Sequence, residues 1–191
     1  LREGRMAAAR WAKEKRVLNL FSYTGAISVY AASGGASEVV AVDVAAKAHA
    51  RARKNFALNG FDPEKPEHLT GDAFKILSRF ADRGRRFDMV VIDPPAFIKR
   101  KKDIPKGEAA YKRLNQLAMK LLERDGILVS CSCSYHMSLE SLIEAIQRAA
   151  RHLNRFAQII EIGGQSPDHP IHPAIPETRY LKAVVVRVTG E

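Results

Sequence analysis

Six short apolar runs alternate along this chain with stretches of helical spacing, and a seventh run closes it. The runs are VLNLF (17–21), EVVAVD (38–43), the weaker EHLTGD (67–72), FDMVVID (87–93), ILVSCSCS (127–134), AQIIEI (157–162) and LKAVVVRV (181–188). Between them lie helix patterns. AISVYAAS spans 26–33, a second helix ends at Gly60, and AFKILSRF spans 73–80. YKRLNQLAMKLL carries Leu114, Leu117, Ala118, Leu121 and Leu122 on one stripe. Ser138 is placed to cap a helix whose face is Leu139, Leu142, Ile143, Ile146 and Leu153. Strands separated by helices require crossover connections, so the chain is constrained to an α/β fold with a mostly parallel sheet. The last two strands have no helix between them and are expected to pair as a hairpin-like edge, antiparallel to the rest. Residues 96–110 and 163–178 read as loops. At 191 residues, with no repeat, linker or low-complexity tract, the span 1–191 reads as one domain, with residues 1–16 a basic segment leading into it.

Charge narrows the partners. Lys and Arg number 31 against 21 Asp and Glu, a net +10 that favours a polyanion such as nucleic acid. The excess is clustered at Arg2, Arg5, Arg10, Lys13, Lys15 and Arg16, and again at Lys99, Arg100, Lys101, Lys102 and Lys106. No apolar run is long enough to cross a bilayer, and the basic N-terminal stretch has no secretory h-region. The two cysteines, Cys131 and Cys133, are read as facing opposite sides of an extended run and remaining free thiols, which fits a reduced, cytoplasmic protein. No histidine pair has metal-helix spacing, so no metal is assigned. His49, His68 and His152 read as solvated, and His136 as a residue that could touch substrate. Asp168-His169-Pro170 reads as an active-site loop or a rigid turn.

Ligands of an open α/β sheet sit at the carboxyl ends of its strands. Those ends carry Ser22-Tyr23-Thr24-Gly25, Asp43, Asp72, Asp93-Pro94-Pro95 and Ser132-Cys133-Ser134. Gly25 suits a tight turn against a ligand, and Asp43, eighteen residues on, is spaced to grip ribose hydroxyls. Neither glycine-rich phosphate motif is present. A ligand with a ribose and no pyrophosphate, such as S-adenosyl-L-methionine, fits. Its adenine amine would reach Asp72 and its aminoacyl part the first turn. Asp93 and its two prolines can hold a planar nitrogen heterocycle, or the prolines only end a strand. Cys133 can attack carbon 6 of a cytosine and so activate carbon 5 toward a methyl donor, or it is a small buried hydrophobe, as Cys131 is expected to be. Trp11, Phe97 and Tyr111 could stack on bases or pack in the core.

NLFSYTGAIS, VVAVD, ARKNFALNG, GDAF, DPPAF, LVSCSCS and DHPIHPAIPETRYLKAVVVRV, in that order, resemble the class I methyltransferase domain of bacterial 23S rRNA cytosine-5 methyltransferases. The resemblance runs over nearly the whole chain. It implies a Rossmann-like seven-stranded sheet with an antiparallel last strand, and a substrate of 23S rRNA or a ribosomal particle. It also implies an S-adenosyl-L-methionine pocket of Phe21, Ser22, Tyr23, Thr24, Gly25, Asp43, Asp72, Ala73, Asp93 and Pro94. Cys133 would be the nucleophile with Asp93 beside it, and RNA would lie against Pro95, Phe97, Lys99, Arg100, Lys101 and Lys102. Related guanine-N7 enzymes share the glycine turn and the Asp-Pro-Pro, and the Ser-Cys-Ser at 132–134 separates the cytosine group from them. Two other readings stand beside this one: methylation of a nucleobase nitrogen, and a silent assembly factor binding cofactor and RNA. Ala96 stands where other RNA cytosine-5 methyltransferases carry a second cysteine. The family usually adds an N-terminal PUA-type RNA-binding domain and a linking β-hairpin, so this chain is expected to be a fragment or a member without that part. The oligomeric state is left open.

Overall fold

The computed structural model describes residues 2–190; Leu1 and Glu191, the two ends of the span read as one domain, lie outside the described residues. The elements run α1 (Arg2–Trp11), β1 (Arg16–Leu20), α2 (Ala26–Ser33), β2 (Glu38–Asp43), α3 (Ala46–Leu58), β3 (Glu67–Thr70) and α4 (Ala73–Asp82). They continue as β4 (Phe87–Ile92), α5 (Ile104–Lys120), β5 (Leu122–Ser132), α6 (Leu139–His152), β6 (Phe156–Gly163) and β7 (Lys182–Thr189). The strands form one seven-stranded sheet in the order β3-β2-β1-β4-β5-β7-β6. The α/β, mostly parallel, Rossmann-like sheet with an antiparallel last strand is the architecture the sequence pattern requires.

The central strands are mostly apolar because helices cover both faces. Met89, Val90, Val91 and Ile92 of β4 have no exposure at all. Burying each such side chain contributes roughly 1.5–3 kcal/mol. On one face α4, α5 and α6 pack over Leu18, Leu20, Val40, Val90, Leu128 and Val186. On the other, α1 and α2 pack Ala7, Ala8, Ile27 and Ala31 over Val17, Val39, Val91 and Val129.

Four expectations are corrected. β6 and β7 do pair, yet only β7 runs against the sheet: it is antiparallel to both β5 and β6, and β6 is the outer edge. The crossover helix α6 carries the chain past the place that β7 later fills, which leaves β6 parallel to β5. The stretch 96–110 is not all loop, since α5 begins at Ile104 after a short 3-10 turn at Lys101–Asp103. Pro105 and Gly107 hide that start. Pro105 is tolerated in the first helical turn, and Gly107 is fully covered because a Cβ there would lie 2.1 Å from Ile98 Cγ1. Third, the basic N-terminal segment contains a helix at residues 2–11, and much of the segment's positive charge is matched: Arg10 lies 2.6 Å from Glu161, Arg5 3.6 Å from Asp168, and Arg16, at the start of β1, 3.0 Å from Asp88 and 2.9 Å from Glu123. Last, positions two apart on a strand share a face, so opposed directions do not separate Cys131 from Cys133. Both are free thiols, Cys131 fully buried inside β5 and Cys133 half-buried one residue past its end.

Candidate active site

Ladder register lines up the strand ends. Leu20 pairs with Val42 and with Ile92, and Ile92 pairs with Ser130. Phe21, Asp43, Asp93 and Cys131 therefore follow at one level, and Cys133 stands beyond it. β7 brings its first residue to this rim because it runs the other way, with Lys182 opposite Ser132.

The turn after β1 is a strained piece of backbone. Phe21 (φ 57°), Tyr23 (φ 45°) and Gly25 (φ 78°) all take positive φ. Two such non-glycine residues in three positions persist only where surroundings over-determine them. Asp43 supplies that hold: its Oδ2 accepts from the Tyr23 amide at 2.8 Å and its Oδ1 from the Ala45 amide at 2.9 Å. Asn55 Nδ2 donates to the Thr24 carbonyl at 2.8 Å, and the Ser22 amide donates to the Val42 carbonyl at 3.0 Å. At Gly25 a Cβ would sit 2.7 Å from that of Ala52, so nothing larger fits between turn and α3. Ser22 and Gly25 are buried, Phe21 and Thr24 partly so, and Tyr23 is exposed. A carboxylate that accepts two amides keeps lone pairs for two hydroxyls. That donor set suits a ribose.

Asp72 is exposed and caps α4, accepting from the Lys75 amide at 3.0 Å; Ala73 behind it is buried. The Gly71 amide donates to the Asp43 carbonyl at 2.9 Å, which ties the ends of β2 and β3 together. Burial pushes the Asp93 carboxyl above the usual carboxylate range. Pro94 is buried and Pro95 exposed. Phe97 is partly buried in an aromatic cluster, 5.0 Å from Tyr111, 6.3 Å from Phe21 and 6.5 Å from Phe74 between ring centroids. Lys99, Arg100, Lys101 and Lys102 are exposed, with Arg100 turned 3.1 Å onto Asp103.

The Ser-Cys-Ser segment is held by its serines. Tyr111, fully buried in α5, donates to Ser132 Oγ at 2.9 Å, and its hydroxyl also lies 3.4 Å from Ser134 Oγ. The Ile98 amide reaches Ser134 Oγ at 3.4 Å. Both serines are buried, not lining an open mouth as their place beside Cys133 suggests. The thiol instead meets the Pro94 carbonyl, Sγ to O 3.8 Å. Burial first, and then the negative charge of Asp93, push the Cys133 thiol up; Lys182 works the other way. Cys131, fully buried, is pushed up further.

Lys182 is the residue that sequence reasoning missed. It is 9% exposed, its Nζ donates to the Ser134 carbonyl at 2.8 Å, and burial lowers its pKa to about 8. The available signal was one lysine heading an otherwise apolar strand, meaningful only once β7 is known to insert between β5 and β6. Tyr111 packs in the core, and Trp11 is partly buried with its indole N–H donating to Glu161 at 3.2 Å. His49 is buried and His68 partly so, against the expectation that both are solvated. His136 stacks edge-on against Tyr135, ring centroids 5.3 Å apart. Asp168 takes a hydrogen bond from Ser166 and lies 3.4 Å from His169, the geometry of a braced turn. Among the described residues no group of three or more metal-ligating side chains occurs, and no helix is long and apolar enough to cross a membrane.

Residues 1–187 match the family of S-adenosylmethionine-dependent methyltransferases. The chain belongs to that family. This methyltransferase is 43% identical over 186 residues to ribosomal RNA large subunit methyltransferase I of Aeromonas hydrophila subsp. hydrophila, covering 97% of this chain and 47% of that protein. Identity to the protein of the same name from Tolumonas auensis is 44%, with the same coverage. The methyltransferase also overlays the crystal structure of SMU.776 complexed with SAH, with a TM-score of 0.85 and 25% identity over 97% of this chain and 48% of that one. The chain thus spans about half the length of the relatives it matches. The methyl donor of this family is S-adenosyl-L-methionine, and the Asp43-braced turn, with its close glycine and ribose-ready carboxylate, fits it.

Proposed function

We propose that this methyltransferase modifies large-subunit (23S) rRNA at carbon 5 of a cytosine, through a covalent bond to Cys133. The observation that carries the reading is a half-buried thiol standing one residue past β5, against Pro94 and beside a partly buried Asp93, while its neighbour Cys131 is sealed in the core. The names of the relatives support rRNA as substrate. The net charge of +10 supports a polyanion.

The turn from Phe21 to Gly25 would hold the aminoacyl end of the methyl donor, Asp43 its ribose, Asp72 and Ala73 its adenine edge, and Asp93 with Pro94 the side facing the base. When bound, S-adenosyl-L-methionine would supply a methyl group on a sulfonium, which a nucleophilic carbon can take as the neutral thioether leaves. Carbon 5 of cytosine is too inert to do so alone. Cys133, as thiolate, adds to carbon 6; the new C–S bond pushes the C5–C6 electron pair onto carbon 5. Asp93, held toward its protonated form by burial, donates to ring nitrogen 3 and accepts the charge that the addition drives there. After carbon 5 is alkylated, a base takes its proton and the electron pair re-forms the C5–C6 bond, expelling the thiolate, while the proton on ring nitrogen 3 returns to the Asp93 carboxylate. Ala96 offers no second thiol for that release.

Cys133→Ala is expected to lose methylation to background, a fall of roughly 10⁴-fold or more, while Cys131→Ala stays active. RNA carrying 5-fluorocytidine at the target is expected to trap a protein–RNA adduct stable to denaturing gels. An active Cys133→Ala protein sinks the covalent mechanism. A product whose methyl group lies on a ring or exocyclic nitrogen, by nuclease digestion and mass spectrometry, would replace carbon 5 with direct attack beside Asp93.

A further inference from the structure

A cavity of about 640 Å³ opens at the same rim, on the side of Cys133 away from the Asp43 and Asp72 strands. It lies between the β5–α6 connection, the end of β6 and the residues leading into β7. The strand order sets the sequence of features along the rim: Asp43 on β2, Asp93 after β4, Cys133 after β5, Lys182 on β7, then Ile162 on β6. Lys182 is shared, since it lines the cavity and holds the Ser134 carbonyl next to the thiol.

The lining is mixed in a particular way. Tyr135 is 43% exposed with its ring braced by His136, and Ile162 and Ile171 are exposed apolar side chains at 52% and 47%. Arg179 and Lys182 bring two cations, and Glu140 one acid whose carboxyl is kept low by its own backbone amide and by Ser138. An aromatic face, apolar edges and an excess of positive charge are what an unpaired nucleotide needs: a surface for its base and partners for its phosphate. The volume falls within the range of small-ligand sites.

We propose that this cavity holds the nucleotide next to the target base, its base on Tyr135 between Ile162 and Ile171 and its phosphate against Arg179 and Lys182. The proposal rests on the reading of RNA as the substrate. It assigns part of the choice of target to residues outside the methyl-transfer chemistry: the flanking nucleotide is read here, so that only a base with an acceptable neighbour is presented to the thiol.

The test uses the complete protein and a 23S rRNA fragment containing the methylated cytosine. Arg179→Ala and Tyr135→Ala are expected each to weaken RNA binding about tenfold, Tyr135→Phe to restore it, and S-adenosylmethionine affinity by calorimetry to stay at wild type. Both residues are exposed, so folding is not at stake. RNA with 4-thiouridine beside the target is expected to cross-link to the peptide containing Tyr135. Wild-type RNA affinity in both variants with no such cross-link overturns the proposal, as does a cross-link showing another segment of the protein filling the cavity. A wild-type enzyme whose product is not 5-methylcytosine sinks the function proposed above, while the binding and cross-linking results still decide this one.

Discussion

The two halves of the rim are built by different means. Over β1, β2 and β3, the site is made of backbone: a turn with three positive φ values, a carboxylate that accepts the Tyr23 and Ala45 amides, and an Asp72 that caps α4. Over β5 and β7 the site is made of side-chain bonds between separate elements. Tyr111 holds Ser132, Lys182 holds the Ser134 carbonyl, and Cys133 touches the Pro94 carbonyl 39 residues away. The first half presents a fixed cradle to a ligand that never varies. The second positions one thiol by bonds that single substitutions can loosen. It follows that damage to the first half should appear as lost cofactor affinity, and damage to the second as lost rate.

The largest break expected within the cradle is Asp43→Ala. It removes the acceptor of two amides together with the proposed ribose contact, and S-adenosylmethionine affinity is expected to fall about 100-fold by calorimetry, from charge-assisted bonds worth roughly 1.5–3 kcal/mol. Unchanged affinity would show that the turn keeps its shape without Asp43. The next is Tyr111→Phe in the other half. Loss of the hydroxyl leaves buried Ser132 Oγ with only the Ser134 amide, 3.2 Å away, at a cost of roughly 1 kcal/mol in stability. Single-turnover methylation is expected to slow about tenfold as the thiol is less firmly placed, with cofactor affinity unchanged. A Tyr111→Phe enzyme that instead loses cofactor would erase the distinction between the halves.

Lys182 gives a sharper test of the second half, because its effect has a sign. Its cation faces a thiol that burial and Asp93 push up, so it favours the thiolate. Lys182→Met is expected to move the rising limb of the kcat/KM profile to higher pH by about half a unit to one unit, and Lys182→Arg to return it. The stability profile should move as well. The folded lysine has its pKa lowered from 10.5 to about 8, so the unfolded chain binds more protons between those values. Stability therefore rises with pH across that window, and the methionine variant should lose that slope.

The same division explains what was legible in the amino-acid sequence. Strand-end residues are read from local apolar runs, and Asp43, Asp72 and Asp93 follow from where those runs stop. The start of α5 was not legible, because Pro105 and Gly107 are poor helix residues in isolation and Gly107 is required only by the approach of Ile98. Lys182 was not legible because its meaning depends on β7 lying between β5 and β6, where its first residue stands opposite Ser132. The inward turn of Ser132 and Ser134 depends on a tyrosine twenty-one residues upstream of the first. Local pattern carries the cradle, and only tertiary placement carries the thiol's surroundings.

The smallest effect expected lies in the cradle half, behind the turn, where His49 and His68 meet. His49 Nε2 lies 3.2 Å from the Leu69 carbonyl, which can only accept, so that nitrogen carries the proton. Its Nδ1 is then bare and accepts from His68 Nδ1 at 3.2 Å. This leaves His68 Nε2 as the site of any further proton, and it is buried without a hydrogen-bond partner. Burial accordingly lowers the His68 pKa from 6.5 to about 4, helped by His49 and Arg53. Between those values the unfolded chain binds the proton and the folded one does not, so stability falls as pH drops from 6.5 toward 4. Solvent on the ring's open side discounts the full linkage value to roughly 1–2 kcal/mol. His68→Gln keeps a donor for His49 and cannot titrate. Urea midpoints at pH 7 and pH 4.5 should therefore lie closer together in His68→Gln than in the wild type. An equal spread in both proteins would mean that the acid sensitivity of this half comes from its carboxylates and not from the paired rings.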